Sequence, residues 1–213
     1  MKKLLLLIFI LLFTNANAAY TVHKNITVTI FWVGESSGEE NGYIANYASA
    51  WDDEWIYSYG GYDSPDSRNG YNPNAFKATE NPFYFALPYN DFNEEGEIKS
   101  DLSSYIPWAD STQRGYASIC KNRWIKIIKG EKIAYAQWED VGPFEEDDKE
   151  YVFGESSPLN SINKDAGLDV SPAVRDYLQL EGIDSVTWSF IDEKDVPNGP
   201  WKRVITTTNI NWK

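Results

Sequence analysis

The chain has one cysteine, one histidine and one methionine in 213 residues. A lone Cys120 excludes an internal disulfide, so the core must hold by packing. One histidine and one cysteine are too few for the usual zinc ligand sets. They are equally thin material for a thiol dyad of Cys120 and His23, and His23 is expected near a mobile chain end. Basic residues are scarce, 19 against 32 acids, for a formal charge of −13. That excess argues against nucleic acid, whose binding rests on Lys and Arg meeting phosphates. It also argues against attraction to an anionic membrane surface. No long apolar run follows the first residues, so no later segment is expected to cross a bilayer.

Residues 1 to 18 read as a secretory signal. Lys2 and Lys3 precede the apolar run Leu4 to Phe13, and Ala16-Asn17-Ala18 makes a small-x-small cleavage site. Residues 19 to 213 are then expected to form one soluble, secreted or periplasmic domain, monomeric and without membrane insertion. Its acidic excess would be larger by the two lysines removed.

Aromatic residues are abundant, with nine Trp and fourteen Tyr. They fit an aromatic core, and they equally fit a platform that stacks on sugar rings. Residues 26 to 32 alternate as a half-buried strand. Residues 34 to 81 are rich in Gly, Asn, Asp, Ser and Tyr and read as a long inserted loop, with one helix around 43 to 51. "PFYFALP" (82–88) is a second strand, and 90 to 115 a second inserted loop. "RWIKIIKGEKIAYAQW" (123–138) predicts a hairpin turning at Gly130-Glu131. Short strands are expected at 149–154, 185–191 and 203–209. Ser171-Pro172 caps and opens a helix that Gly182 is expected to stop. The balance is mainly β, a small barrel with one or two short helices.

"GESSG" (34–38) matches a nucleophile elbow, but the βαβ context and a later histidine are missing. No stretch fits the EF-hand calcium loop, and no metal or cofactor is predicted. Carboxylates remain. Cleaving a glycosidic bond needs an acid that keeps its proton near neutral pH, hence one set among apolar groups. Asp140, after Trp138 and before Gly142-Pro143-Phe144, has that setting. So has Asp169, between Leu168 and Val170, and Glu35, just after Phe31-Trp32-Val33-Gly34, is a third candidate. Asp140 also reads as a turn residue and Asp169 as a helix cap.

The hairpin, then Asp140-Val141-Gly142-Pro143-Phe144, then Leu168-Asp169-Val170-Ser171 opening a helix, resembles the double-psi β-barrel of rare lipoprotein A-like proteins. That architecture is shared by barwin, expansins, family 45 endoglucanases and the membrane-bound lytic transglycosylase A group. Thr29-Ile30-Phe31-Trp32 is similar to the superfamily's first strand. The resemblance implies a six-stranded barrel, a cell-wall polysaccharide partner (peptidoglycan or another β-1,4 glycan), Asp169 as general acid and Asp140 supporting the cleft beside it. Trp32, Trp51, Trp55, Tyr135 and Trp138 would supply the sugar platform. Val141 stands where rare lipoprotein A has arginine, and only Glu35 could replace the first-strand aspartate of the endoglucanases. This fits a lytic transglycosylase using one acid/base. Also open are an expansin-like module that binds without cleaving and an exported structural or interaction domain.

Overall fold

The computed structural model describes residues 20–112 and 117–209; the signal segment 1–18 lies outside them. Six strands close into a barrel: β1 (His23–Ile30), β4 (Tyr84–Leu87), β5 (Trp124–Lys129), β6 (Lys132–Val141), β7 (Leu168–Val170) and β8 (Asp184–Ile191). Their order is β1-β7-β4-β6-β5-β8, closing on β1. Two pairings, β1 with β7 and β4 with β6, are parallel, and the other four are antiparallel. This mixed, closed barrel is compatible with the double-psi architecture, and closure removes the unpaired edges that an open sheet would expose.

The hairpin forms as its sequence predicts, with Gly130 at φ 57 in the turn. β6 sends Ala134, Ala136 and Trp138 inward, so two small residues leave room for one large ring. Trp138 stacks on Phe85 at 5.9 Å between centroids. Trp188 stacks on His23 at 4.1 Å. His23 is therefore a buried strand residue, not part of a mobile end, and burial lowers its pKa to about 4. Cys120 is also fully buried, and burial pushes its thiol up, which leaves no thiolate for catalysis.

β4 is buried on both faces. Phe85 and Leu87 fill the barrel. Tyr84 and Ala86 face outward into a second cluster with Phe31, Val33, Trp55, Tyr59 and Ala78. That outer cluster is what orders the 34–81 insertion. The insertion also holds α1 (Trp55–Tyr59) and a small hairpin of β2 (Arg68–Asn69) with β3 (Asn72–Pro73). The buried Asp63 pins it, accepting from Tyr84 Oη at 2.8 Å and pairing with Arg68.

Four local expectations are corrected. The helix expected at 43–51 lies later, at α1, where Trp55 and Tyr59 reach the outer cluster. Residues 149–154 form no strand but a helical turn, α2 (Lys149–Val152), because the buried Asp148 caps it by accepting from Tyr151 N. α3 (Pro172–Leu178) starts at Ser171 as predicted but ends with Gln179 in the left-handed region, before Gly182. Residues 203–209 form a strap instead of a strand. Its backbone bonds go to side chains: Thr206 N donates to Gln137 Oε1 at 2.9 Å, and Gln137 Nε2 donates back to Thr206 O at 3.0 Å.

Candidate functional site

One row of residues crosses four neighbouring strands. Thr29 on β1 lies opposite Asp169 on β7, Asp169 opposite Ala86 on β4, and Ala86 opposite Asp140 on β6. All four line a single cleft on the outside of the barrel, together with Glu35, Asn46, Gly142 and Phe144. The three candidate acids, distant in sequence, thus share one cleft. Neighbouring strands lie about 4.8 Å apart, so the two aspartate Cα atoms stand roughly 10 Å apart across the alanine. Ala86, with only a methyl group, forms the floor between them.

Asp140 reaches this row only through a β-bulge. Phe85 pairs with Trp138, but the next residue, Ala86, pairs with Asp140 and skips Glu139. Simple alternation would send Asp140 inward beside Trp138. The extra residue at Glu139 turns it outward instead. The Trp138 indole N–H donates to the Asp140 carbonyl at 2.7 Å and holds the bulge from inside.

Each acid is seated differently. Asp140 is buried, and its Oδ1 accepts the backbone N–H groups of Ala50 (2.7 Å) and Val141 (2.8 Å). Asp169 is half-buried, with Thr29 Oγ1 donating to its Oδ1. Its Oδ2 lies beside Gly142, at φ 149, where an added Cβ would sit 3.6 Å from it. Glu35 is buried, and its Oε2 accepts from Asn46 Nδ2 at 2.9 Å. Backbone bonds from Gly34 N to Asn46 O and from Asn46 N to Glu35 O fix that pair.

All three hold protons unusually well. Burial raises Asp140 to about 7 against its two backbone hydrogen bonds, and the Asp169 charge adds to the rise. Burial raises Asp169 to about 6, with the Thr29 hydroxyl opposing. Burial raises Glu35 to about 7; hydrogen bonds from Asn46 and Asn41 oppose, and Asp169 again adds. Asp169 therefore stands electrostatically between the other two. A carboxyl that exchanges its proton between about pH 6 and 7 suits general acid–base work.

No protein-family model matches the chain, and a search of curated proteins finds no relative.

The predicted sugar platform is not at the cleft. Trp51, Trp55 and Trp138 are at most 1% exposed and bury both faces in the two cores. Tyr135 packs on Trp201, with ring centroids 5.0 Å apart, and does not line the cleft. Trp32 is half-buried and does not line the cleft. These rings are large apolar surfaces, and a barrel this small spends them on its own core. Thr29, Asn46 and the Ala50 amide carry no functional signal in the sequence. Thr29 belonged to a strand pattern, and the other two lie in the inserted loop, where no periodicity assigns a position. Among the described residues no group of three His, Cys, Asp or Glu side chains is arranged to hold a metal ion.

The raised acids have a thermodynamic signature. Asp140 binds its proton more tightly when folded than when unfolded, so its ionisation costs stability as pH rises from about 4 to 7. Asp140→Asn keeps the acceptor oxygen and removes that cost. The variant is expected to be more stable at pH 8 by on the order of 2 kcal/mol, or about 4–8 °C in Tm, and indistinguishable at pH 4. Thermal unfolding at the two pH values checks this; an equal difference at both would refute the assignment.

Proposed function

We propose that the protein is an exported, cell-wall glycan-active enzyme that cleaves a β-1,4-linked glycan, peptidoglycan first among them, by a single-acid lytic transglycosylase mechanism. The observation that carries this reading is the convergence of Asp169, Asp140 and Glu35 in one cleft with their protons held near neutral pH. Asp169 is the acid. It lines the cleft with Oδ2 beside Gly142 while Thr29 fixes Oδ1. It protonates the leaving glycosidic oxygen as the bond to the anomeric carbon breaks. A hydroxyl of the same sugar then closes on that carbon, and its proton returns to Asp169. Asp140 and Glu35 shape the field around the acid: each resists ionising beside an ionised Asp169, so negative charge concentrates where the sugar's positive charge develops.

The convergence also favours a second reading. An inverting hydrolase needs an acid and a base roughly 6.5–9.5 Å apart with water between them. Asp140 and Asp169, flanking Ala86 on neighbouring strands, are the two carboxyls that would fill those roles.

The test is digestion of purified sacculi followed by mass spectrometry of the soluble products. Products ending in an internal anhydro ring are expected. Products carrying a new reducing end would assign the hydrolase. Pelleting with sacculi and releasing nothing would leave a wall-binding barrel without catalysis.

A further inference from the structure

In the loop before β7, Asn163, Lys164 and Asp165 hold φ values of 49, 61 and 58. Left-handed backbone costs L-residues free energy and is met as single residues, not as runs. Three in succession, none of them glycine, must be held by their surroundings. Asn160 does this. It is 3% exposed, and its Nδ2 donates to Ile162 O at 3.1 Å and to Ala166 O at 2.8 Å. Its Oδ1 accepts from Ile162 N at 2.8 Å. Ala166 N donates to Ile162 O at 3.2 Å and closes the turn, and Gly167 N donates to Thr27 O at 3.0 Å and ties it to β1. Strain of this kind gathers at functional sites.

What the turn delivers to the cleft is Asn163. It is half-buried and lines the cavity with Thr29 and Asp169, whereas Lys164 and Asp165 are exposed and do not. Asn41 and Asn46 line the same cavity with their amides engaged. Asn41 Oδ1 accepts from Gly38 N at 2.8 Å and its Nδ2 donates to Ser36 O at 2.9 Å, while Asn46 Nδ2 is held by Glu35. Among the described residues nothing hydrogen-bonds the Asn163 amide, so it offers a donor and an acceptor together. The cavity beside it has a volume of about 80 Å³, room for roughly five to eight non-hydrogen atoms at about 10–15 Å³ each. An acetamido group fits there and a whole sugar ring does not. Rings have space in the adjoining cavity of about 380 Å³ on the other side of Asp140.

We infer that Asn163 is a specificity residue whose amide pairs with the acetamido group of an N-acetylated sugar beside Asp169. The inference rests on the glycan reading above and narrows its substrate. The Asn163 carbonyl accepts from the acetamido N–H, and its NH₂ donates to the acetamido oxygen. A sugar with a plain hydroxyl at that position makes one such bond and leaves the rest of the small cavity unfilled. One net hydrogen bond is worth about two- to tenfold in affinity, so the bond lost and the unfilled space together make a preference of about tenfold.

Calorimetric titration at pH 6 tests this with the β-1,4-linked hexamers of N-acetylglucosamine and of glucose. Both are neutral, and they differ only at the 2-position. The N-acetylglucosamine hexamer is expected to bind about tenfold more tightly. Asn163→Gly removes the amide while glycine accepts the left-handed backbone without penalty. The preference is expected to vanish in this variant, with a Tm no lower than that of wild type. Lys164→Gly relaxes the same turn without touching the cleft, and there the preference is expected to persist. Equal binding of the two hexamers to wild type would overturn the inference and leave the glycan reading standing. So would a preference that survives in Asn163→Gly, or one lost equally in Lys164→Gly. Binding of neither hexamer would also overturn it, and the digestion of sacculi then decides separately whether the glycan reading stands.

Discussion

Asp169→Asn is expected to lose cleavage by about 10²–10⁴-fold, the range for removing a positioned acid/base, while binding to sacculi persists. The substitution keeps the shape of the side chain. Its amide oxygen still accepts the Thr29 hydroxyl that now holds Oδ1. It cannot deliver a proton to a leaving oxygen. The fold is expected to survive, because removing an acid whose proton is held up to about pH 6 relieves a cost of ionisation above that pH. Asp140→Asn and Glu35→Gln should reduce activity less than this if one acid suffices. A loss in Asp140→Asn equal to that in Asp169→Asn would instead identify an acid and base pair. The wild-type rate should fall as pH rises through about 6 to 7. The cleft titrates as a coupled set, so the apparent value belongs to the three carboxyls together. Initial rates across pH, with bound fraction measured in parallel, separate lost chemistry from lost binding.

Lys121→Met is expected to destabilise the protein by about 3–5 kcal/mol at pH 8, as when one partner is taken from a buried ion pair. Lys121 Nζ donates to Glu139 Oε2 at 2.7 Å, and both side chains are essentially inaccessible to water. Burial works to lower the lysine's pKa. The charges of Glu139, Glu80 and Asp52 outweigh it, and the net direction is up. Without the ammonium, Glu139 would be left with buried acids on one side and Thr206 on the other. Glu139 already holds its proton to about 7, through burial first and the Glu80 charge in addition. The variant's loss should therefore shrink towards pH 5, where a neutral Glu139 needs no counter-charge. Chemical unfolding at pH 5 and pH 8 checks both the size and the slope. Glu139 is also the extra residue of the bulge, so this pair sits directly behind Asp140. A Lys121→Met protein that remains folded is expected to show a disturbed Asp140 and slower cleavage.

The β-rich barrel, its hairpin and the α3 cap were legible because each rests on local chemistry. Alternation in β5 and β6, glycine at the turn, and Ser171-Pro172 at a helix start each need only neighbouring residues to act. The same locality explains the misplacements. Residues 149–154 carry strand-like residues, but capping by Asp148 makes them helical. Residues 203–209 alternate like a strand, yet the Gln137 and Asn122 side chains take the backbone bonds a partner strand would make.

The candidate acids were legible as types, from carboxyls set among apolar neighbours. Their meeting was not. The sequence by itself offered carboxyls among apolar neighbours as candidates, but burial in the fold is what raises their pKa values, and it does the same to Glu139, which the sequence did not single out. It also determined that the chain has one thiol and one imidazole to offer. Only the tertiary structure decided that Glu35, Asp140 and Asp169 share a cleft and that the tryptophans do not. Facing is a property of pairing register. One extra residue at Glu139 turns Asp140 from the core to the outside, and strand pairing brings it beside Ala86, 54 residues earlier in the chain, and across that alanine to Asp169, 29 residues later.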